Sequence, residues 1–153
     1  MRVGITINGQ RHAVDVPPHR SLAELLRDGL ALTGTKTACA EGTCGSCTVL
    51  VDDRPVLSCL TLAVACEGAE VRTVEAQDEL LERLRAAFIA RDGFQCGFCT
   101  PGQLMSALAL LERTADPSRD EIVAAMSGNL CRCGAYEGIV EAVQLAAGAE
   151  EAA

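Results

Sequence analysis

The stretch CAEGTCGSC, residues 39–47, places three cysteines close together, and Cys59 follows at the end of RPVLSC. The spacing Cys39-x4-Cys44-x2-Cys47 with a later single cysteine is the plant-type [2Fe–2S] spacing. Two ferric ions bridged by two sulfides take four thiolates, and the oxidised unit carries a charge of about −2. A short loop with Gly42 and Gly45 allows the tight backbone that turns N–H groups towards such an anion. Zinc is the competing reading. Structural zinc prefers paired C-x2-C knuckles or Cys/His mixtures. Here a single C-x2-C follows a C-x4-C, and both histidines, His12 and His19, lie elsewhere.

The segments on either side frame this loop. CTVLVDDRPVLSC (47–59) reads as a hairpin. With its loop centred on Asp53, Val49 faces Leu57 and Cys47 faces Cys59, which shortens the gap between those two cysteines. A slip of one residue would spoil that register. Upstream, VGITINGQRHAVDV (3–16) has two alternating runs about Asn8-Gly9, the signal for a two-residue hairpin turn. Ser21 and Glu24 form a capping box ahead of Leu22, Leu25 and Leu26, and Gly29 ends that helix. A last strand over 69–75 completes a small mixed sheet with one helix, the outline of a β-grasp domain.

Beyond Glu75 the pattern turns helical. Asp78 caps a helix carrying Leu80, Leu81, Leu84 and Phe88. In CTPGQLMSALALLERT (99–114), Thr100 is expected at the N-cap, Pro101 in the first turn and Gln103 closing a box. Ser118 and Glu121 box a third helix with Ile122, Val123 and Met126. Tyr136, Ile139, Val140 and Val143 fit one face of a fourth. The expected fold class is therefore α+β. A plant-type ferredoxin-like β-grasp domain (1–76) precedes a four-helix bundle (77–148), with 149–153 as a flexible tail.

The bundle carries a second set of cysteines. Cys96-x2-Cys99 and Cys131-x-Cys133 occupy two loops that a bundle can bring side by side. Cys99 lies at the start of a helix, whose positive end favours an anionic centre. C-x-C in extended chain sends its sulfurs to opposite faces, so 131–134 must bend for both to serve one centre. On spacing alone, zinc and iron–sulfur both remain open here. Cys66, the ninth cysteine, reads as a buried small hydrophobe, and Arg132 as a solvated loop residue.

Composition limits the other classes. The 153 residues carry a formal charge of −8 with Lys and Arg scattered, so neither nucleic acid nor an anionic membrane surface is an expected partner. The longest apolar run, LTLAVAC (60–66), is too short for membrane insertion. No leader pattern is visible, which makes the cytoplasm the expected compartment and metal binding a better use of nine cysteines than disulfides. Trp is absent and aromatics make up 3%, so the core is built from Ala, Val, Leu and Ile.

CAEGTCGSCTV, SCLTLAV, FQCGFCTPGQL and SGNLCRC, in that order, resemble the iron–sulfur subunit of the molybdenum hydroxylases, the xanthine dehydrogenase, aldehyde oxidoreductase and carbon monoxide dehydrogenase family. The resemblance spans roughly residues 3–147. It implies two [2Fe–2S] clusters, one on Cys39, Cys44, Cys47 and Cys59, the other on Cys96, Cys99, Cys131 and Cys133. It implies that Gln95 contacts molybdopterin on a large partner subunit, and that electrons pass on to an FAD-binding medium subunit. It leaves no catalytic residue on this chain. Gly134-Ala135-Tyr136 replaces the commoner Thr-Gly-Tyr of the family, a variant closer to bacterial members that oxidise aldehydes or N-heterocycles such as xanthine. The rival functions are a stand-alone two-cluster carrier and a zinc-binding interaction module.

Overall fold

Each half of the chain builds its own core, and the strand that follows the first cysteine loop contributes to both. The computed structural model describes residues 1–148. The tail expected over 149–153 lies outside the described residues.

Strands β1 (Arg2–Ile7) and β2 (Gln10–Asp15) pair antiparallel, with Ile7 opposite Gln10. Asn8 and Gly9 take φ of 49° and 78°, the left-handed pair that a two-residue turn needs. Asn8 also pins the chain after the last strand: its Oδ1 accepts from Thr73 N at 2.8 Å and its Nδ2 donates to Thr73 Oγ1 at 2.9 Å. Helix α1 (Leu22–Glu24) starts on the expected Ser21–Glu24 box and widens into a π-helical turn over Leu25–Gly29. It buries Leu22, Leu25 and Leu26 against the sheet. Strands β3 (Thr48–Val51), β4 (Arg54–Leu57) and β5 (Glu70–Arg72) complete the order β2-β1-β5-β3-β4. The β1–β5 pair is parallel and the rest antiparallel, the expected β-grasp arrangement.

The β3–β4 hairpin is one residue out of the expected register. Thr48 pairs with Leu57 and Val51 with Arg54, leaving Asp52 and Asp53 as a two-residue turn with φ of 48° and 62°. Aspartate tolerates that region, and such a turn matches strand twist better than a loop centred on Asp53 alone. Cys47 and Cys59 are therefore not cross-strand partners. Ser58 takes that place, its N–H and hydroxyl reaching the Cys47 carbonyl at 3.3 and 2.7 Å. Cys59 sits in the turn after β4.

The helical half comprises α2 (Glu79–Ala90), α3 (Thr100–Arg113), α4 (Arg119–Met126) and α5 (Tyr136–Gly148). Asp78 Oδ1 accepts from Leu81 N at 2.8 Å, and Ser118 and Glu121 form their box, as expected. Leu81, Leu84, Phe88, Met105, Leu108, Ile122, Ile139 and Val143 make the core. Two residues expected in that core are outside it: Val123 is 49% exposed and Tyr136 47%. The box at Thr100 does not form either. Cys99 is the N-cap in αR geometry without a side-chain cap, and Gln103 Nε2 donates instead to the Asn129 carbonyl at 3.1 Å. Among the described residues no helix is long and apolar enough to cross a membrane.

The start of α3 is held away from ordinary capping because it packs on the first cysteine loop. A Cβ at Gly102 would lie 2.3 Å from the Gly45 carbonyl oxygen. Strand alternation does the rest: Val49 enters the sheet core while Leu50, on the opposite face, enters the helical core. Arg72 on β5 adds a polar tie, bonding Glu112 of α3 through both guanidinium nitrogens at 2.6 and 2.8 Å and Asp53 at 2.7 Å.

Gly102→Ala forces helix and loop apart and is expected to destabilise the loaded chain by about 1–3 kcal/mol. Gly128→Ala, whose Cβ meets nothing within 4 Å, is expected to change stability far less. Urea unfolding of both variants checks the difference.

Candidate metal centres

The loop before β3 is bent by three left-handed residues, Ala40, Gly42 and Gly45, with φ of 56°, 82° and 74°. That curvature turns donors inward. Glu41 N–H points at the Cys39 sulfur at 3.5 Å. The Glu41 amide, then the Thr43 hydroxyl and the Cys44 thiol, bring Cys39 down to about 6. Cys59 behaves oppositely: burial, then donation of its thiol proton to Cys47, pushes it up to about 11, against a Gly42 amide that favours its thiolate. Cys39 is thus influenced by Cys44, and Cys59 by both Cys47 and Cys39, so the four thiols share one neighbourhood.

The second set is built from two loops. Gly97 and Gly134, at φ of 80° and 76°, tighten them. The bend expected at 131–134 is present: Gly134 N–H returns to the Cys131 carbonyl at 3.1 Å, and Ala135 N–H reaches the Cys131 sulfur at 3.4 Å. Cys96, on the surface, is lowered by the Phe98 amide and then by the Cys133 thiol. Cys99, at the start of α3, is pushed up to about 12 by burial and by donating to Cys131. Cys96 is influenced by Cys133, and Cys99 by both Cys131 and Cys96, so these four thiols also share one neighbourhood. Cys96, Cys99 and Cys131 line a cleft of about 420 Å³ with Phe98, Leu130 and Tyr136. A larger cleft of about 630 Å³, bordered by His12, Leu30 and Glu75, holds none of the cysteines.

This donor set fits a binuclear centre. A single tetrahedral ion gathers its donors about one point, whereas a pair of bridged irons takes two thiolates each. No two of the nine cysteines are joined by a disulfide. The Thr100 hydroxyl, buried beside Cys99 and without a partner among the described residues, is a donor suited to an anionic centre.

Several contributors were not foreseen. Tyr136 was expected in the core, yet its hydroxyl accepts from Cys131 N–H at 2.9 Å and holds the ligand loop. The i, i+3, i+4 pattern that placed it in the core cannot register an aromatic whose polar end is in use. Asn129 and Gln103 are buried polar residues linking the two loops, and nothing in the cysteine spacing points to them. Gln95 and Arg132 are exposed next to ligand-loop cysteines. Cys66 is buried among the sheet residues, as expected, and burial raises its thiol pKa.

Comparison with known proteins agrees with the geometry. Residues 5–64 match the family described as 2Fe-2S iron-sulfur cluster binding domain, and residues 70–144 the family described as [2Fe-2S] binding domain. The nicotine 6-hydroxylase small subunit of Paenarthrobacter nicotinovorans is 47% identical over 144 residues, covering 94% of this chain and 87% of its own. The aldehyde oxidoreductase iron-sulfur-binding subunit PaoA of Escherichia coli (strain K12) is 44% identical, covering 97% of this chain and 72% of its own. The crystal structure of quinoline 2-oxidoreductase from Pseudomonas putida 86 superposes with a TM-score of 0.91 at 47% identity, covering 99% of this chain and 96% of that one.

Tyr136→Phe removes the acceptor for the Cys131 amide. Hydrogen exchange at that amide is expected to quicken about tenfold, the loss of one hydrogen bond, while the Gly134 amide is unchanged. Equal protection in both proteins would contradict the role given to Tyr136.

Proposed function

Because the chain belongs to the family of iron–sulfur subunits of the molybdenum hydroxylases, we propose that it carries electrons from a molybdopterin-binding large subunit to an FAD-binding medium subunit. The two [2Fe–2S] clusters that serve this role are assigned to Cys39, Cys44, Cys47 and Cys59, within a unit spanning 1–76, and to Cys96, Cys99, Cys131 and Cys133, within a unit spanning 77–148. The observation that carries the assignment is the gathering of four cysteine thiols at each site, in loops whose N–H groups reach the Cys39 and Cys131 sulfurs. When bound, the clusters supply one-electron oxidation and reduction without large rearrangement.

The chain's own part is to hold and bias. The Glu41 and Thr43 groups near Cys39 donate to its sulfur and favour the anionic thiolate, and the Ala135 amide donates to the Cys131 sulfur. The α3 N-terminus puts the positive end of a helix beside Cys99. Exposed Phe98, Leu130 and Tyr136 around the second site provide an apolar surface for the large subunit, with Gln95 set to contact the pterin. Relatives are named for nicotine, an aldehyde and quinoline, so the complex is assigned to aldehydes or N-heterocycles, oxidised on the large subunit. The assembly is placed in the cytoplasm, where thiolate ligands persist.

Tagged chain, isolated anaerobically from cells making the whole complex, is expected to co-elute with a molybdopterin protein and a flavoprotein. Elution alone with both clusters would favour a free carrier. A colourless zinc protein without labile sulfide would favour an interaction module. Within the complex, Cys39→Ser and Cys131→Ser are each expected to abolish one of two reduced EPR signals and leave the other. Stripping the clusters from the chain is expected to lower its Tm by about 10 °C or more, and an unchanged melt would show that the metal does not tie the fold together.

A further inference from the structure

The two cysteine sets are joined by a polar bridge that ligation does not require. The Cys44 carbonyl accepts from Leu130 N–H at 2.9 Å. Cys44 is assigned to the first cluster, and Leu130 immediately precedes Cys131, assigned to the second. A bonded route therefore runs from one sulfur to the other: along Cys44 to its carbonyl, across one hydrogen bond, and along the Leu130 backbone into Cys131. Next to it, Asn129 is buried to 5% exposure and has every polar group engaged. Its Nδ2 donates to the Gly45 carbonyl at 3.0 Å. Its Oδ1 accepts from Ser106 Oγ at 2.8 Å, its carbonyl accepts from Gln103 Nε2 at 3.1 Å, and its N–H donates to the Met126 carbonyl at 3.0 Å. Three separate pieces of chain, the first cysteine loop, α3 and the end of α4, thus meet on one residue, the first two through its side chain.

We propose that Asn129 is a positioning residue for electron transfer between the two centres, clamping the Leu130 N–H onto the Cys44 carbonyl so that one hydrogen bond links a ligand of each. Close packing shows why this clamp is set so tightly. A Cβ at Gly45 would lie 2.4 Å from the Gly128 carbonyl oxygen and 2.7 Å from Asn129 Nδ2, so the loops approach as near as glycine permits. The Gly45 carbonyl already accepts from Thr48 N and Oγ1 at 3.1 and 2.7 Å, so the Asn129 donor is not needed to satisfy it. What Asn129 adds is a fixed distance between Gly45 and residue 129, and with it the alignment of the adjacent Cys44–Leu130 pair. The step served is a one-electron exchange. The centre on Cys96, Cys99, Cys131 and Cys133 is oxidised by one electron and that on Cys39, Cys44, Cys47 and Cys59 is reduced by one, with no bond or proton transferred.

The inference rests on the ligand assignment above, and its test separates the two. Asn129→Leu keeps side-chain size and charge but removes the donor. Incorporating the α-hydroxy analogue of leucine at position 130 turns the N–H into an ester oxygen and keeps the side chain of a residue that is 55% exposed. Both are made in the whole complex, with iron content and the separate EPR signals recorded first. The readouts are the magnetic splitting between the two reduced centres and the rate of electron equilibration after pulse radiolysis. Both variants are expected to slow equilibration several-fold and narrow the splitting, while each centre keeps its own g-values. If Asn129→Leu loses its clusters, the ester variant decides alone. Unchanged splitting and rate in the ester variant overturn the clamp and leave the ligand assignment standing. A native complex without two interacting iron centres overturns both.

Discussion

The Gly45 carbonyl accepts from the Thr48 amide, the Thr48 hydroxyl and the Asn129 side chain, while the first turn of α3 presses on it without room for a Cβ at Gly102. The rest of the molecule is arranged round this point. It fixes the end of the first cysteine loop over β3, it sets where α3 begins and hence where Cys99 stands, and it brings the Cys131 loop alongside. Neither half has aromatic bulk with which to build a large core. The sheet core and the helical core therefore share β3, with Val49 facing one and Leu50 the other.

Local rules give way where the two halves meet. Thr100, Pro101 and Gln103 have the composition of a good helix start, yet the Thr100 hydroxyl is buried beside Cys99 and Gln103 is drawn to Asn129. Sites of this kind are where function is expected to override propensity. The same tension appears in the thiols. Within each set one cysteine is held low by amide donors, Cys39 or Cys96, and one high by burial, Cys59 or Cys99.

The chemistry was far more legible in the sequence than the contacts that organise it. Cysteine spacing, the Asn8-Gly9 turn and the boxes at Ser21 and Ser118 are local signals, and local signals survive folding. The β3–β4 register failed by one residue because Asp52 and Asp53 both enter the left-handed region, which a pattern of apolar residues does not report. Tyr136 kept its place on a helix but not in the core, since periodicity records a ring and not the Cys131 amide bound to its hydroxyl. Asn129 could not be found at all. Its partners lie up to 84 positions away, and nothing in SGNLCRC sets that asparagine apart from a loop residue.

The central claim is that eight sulfurs, four to each site, hold two binuclear iron centres. Mössbauer spectroscopy of the complex grown on 57Fe tests it most directly. As isolated, the iron should amount to four per chain, two for each matched [2Fe-2S] domain, all in diamagnetic quadrupole doublets of coupled ferric pairs. Dithionite should turn half of it ferrous. Magnetically isolated high-spin iron, or cysteine sites filled by zinc, would contradict the account.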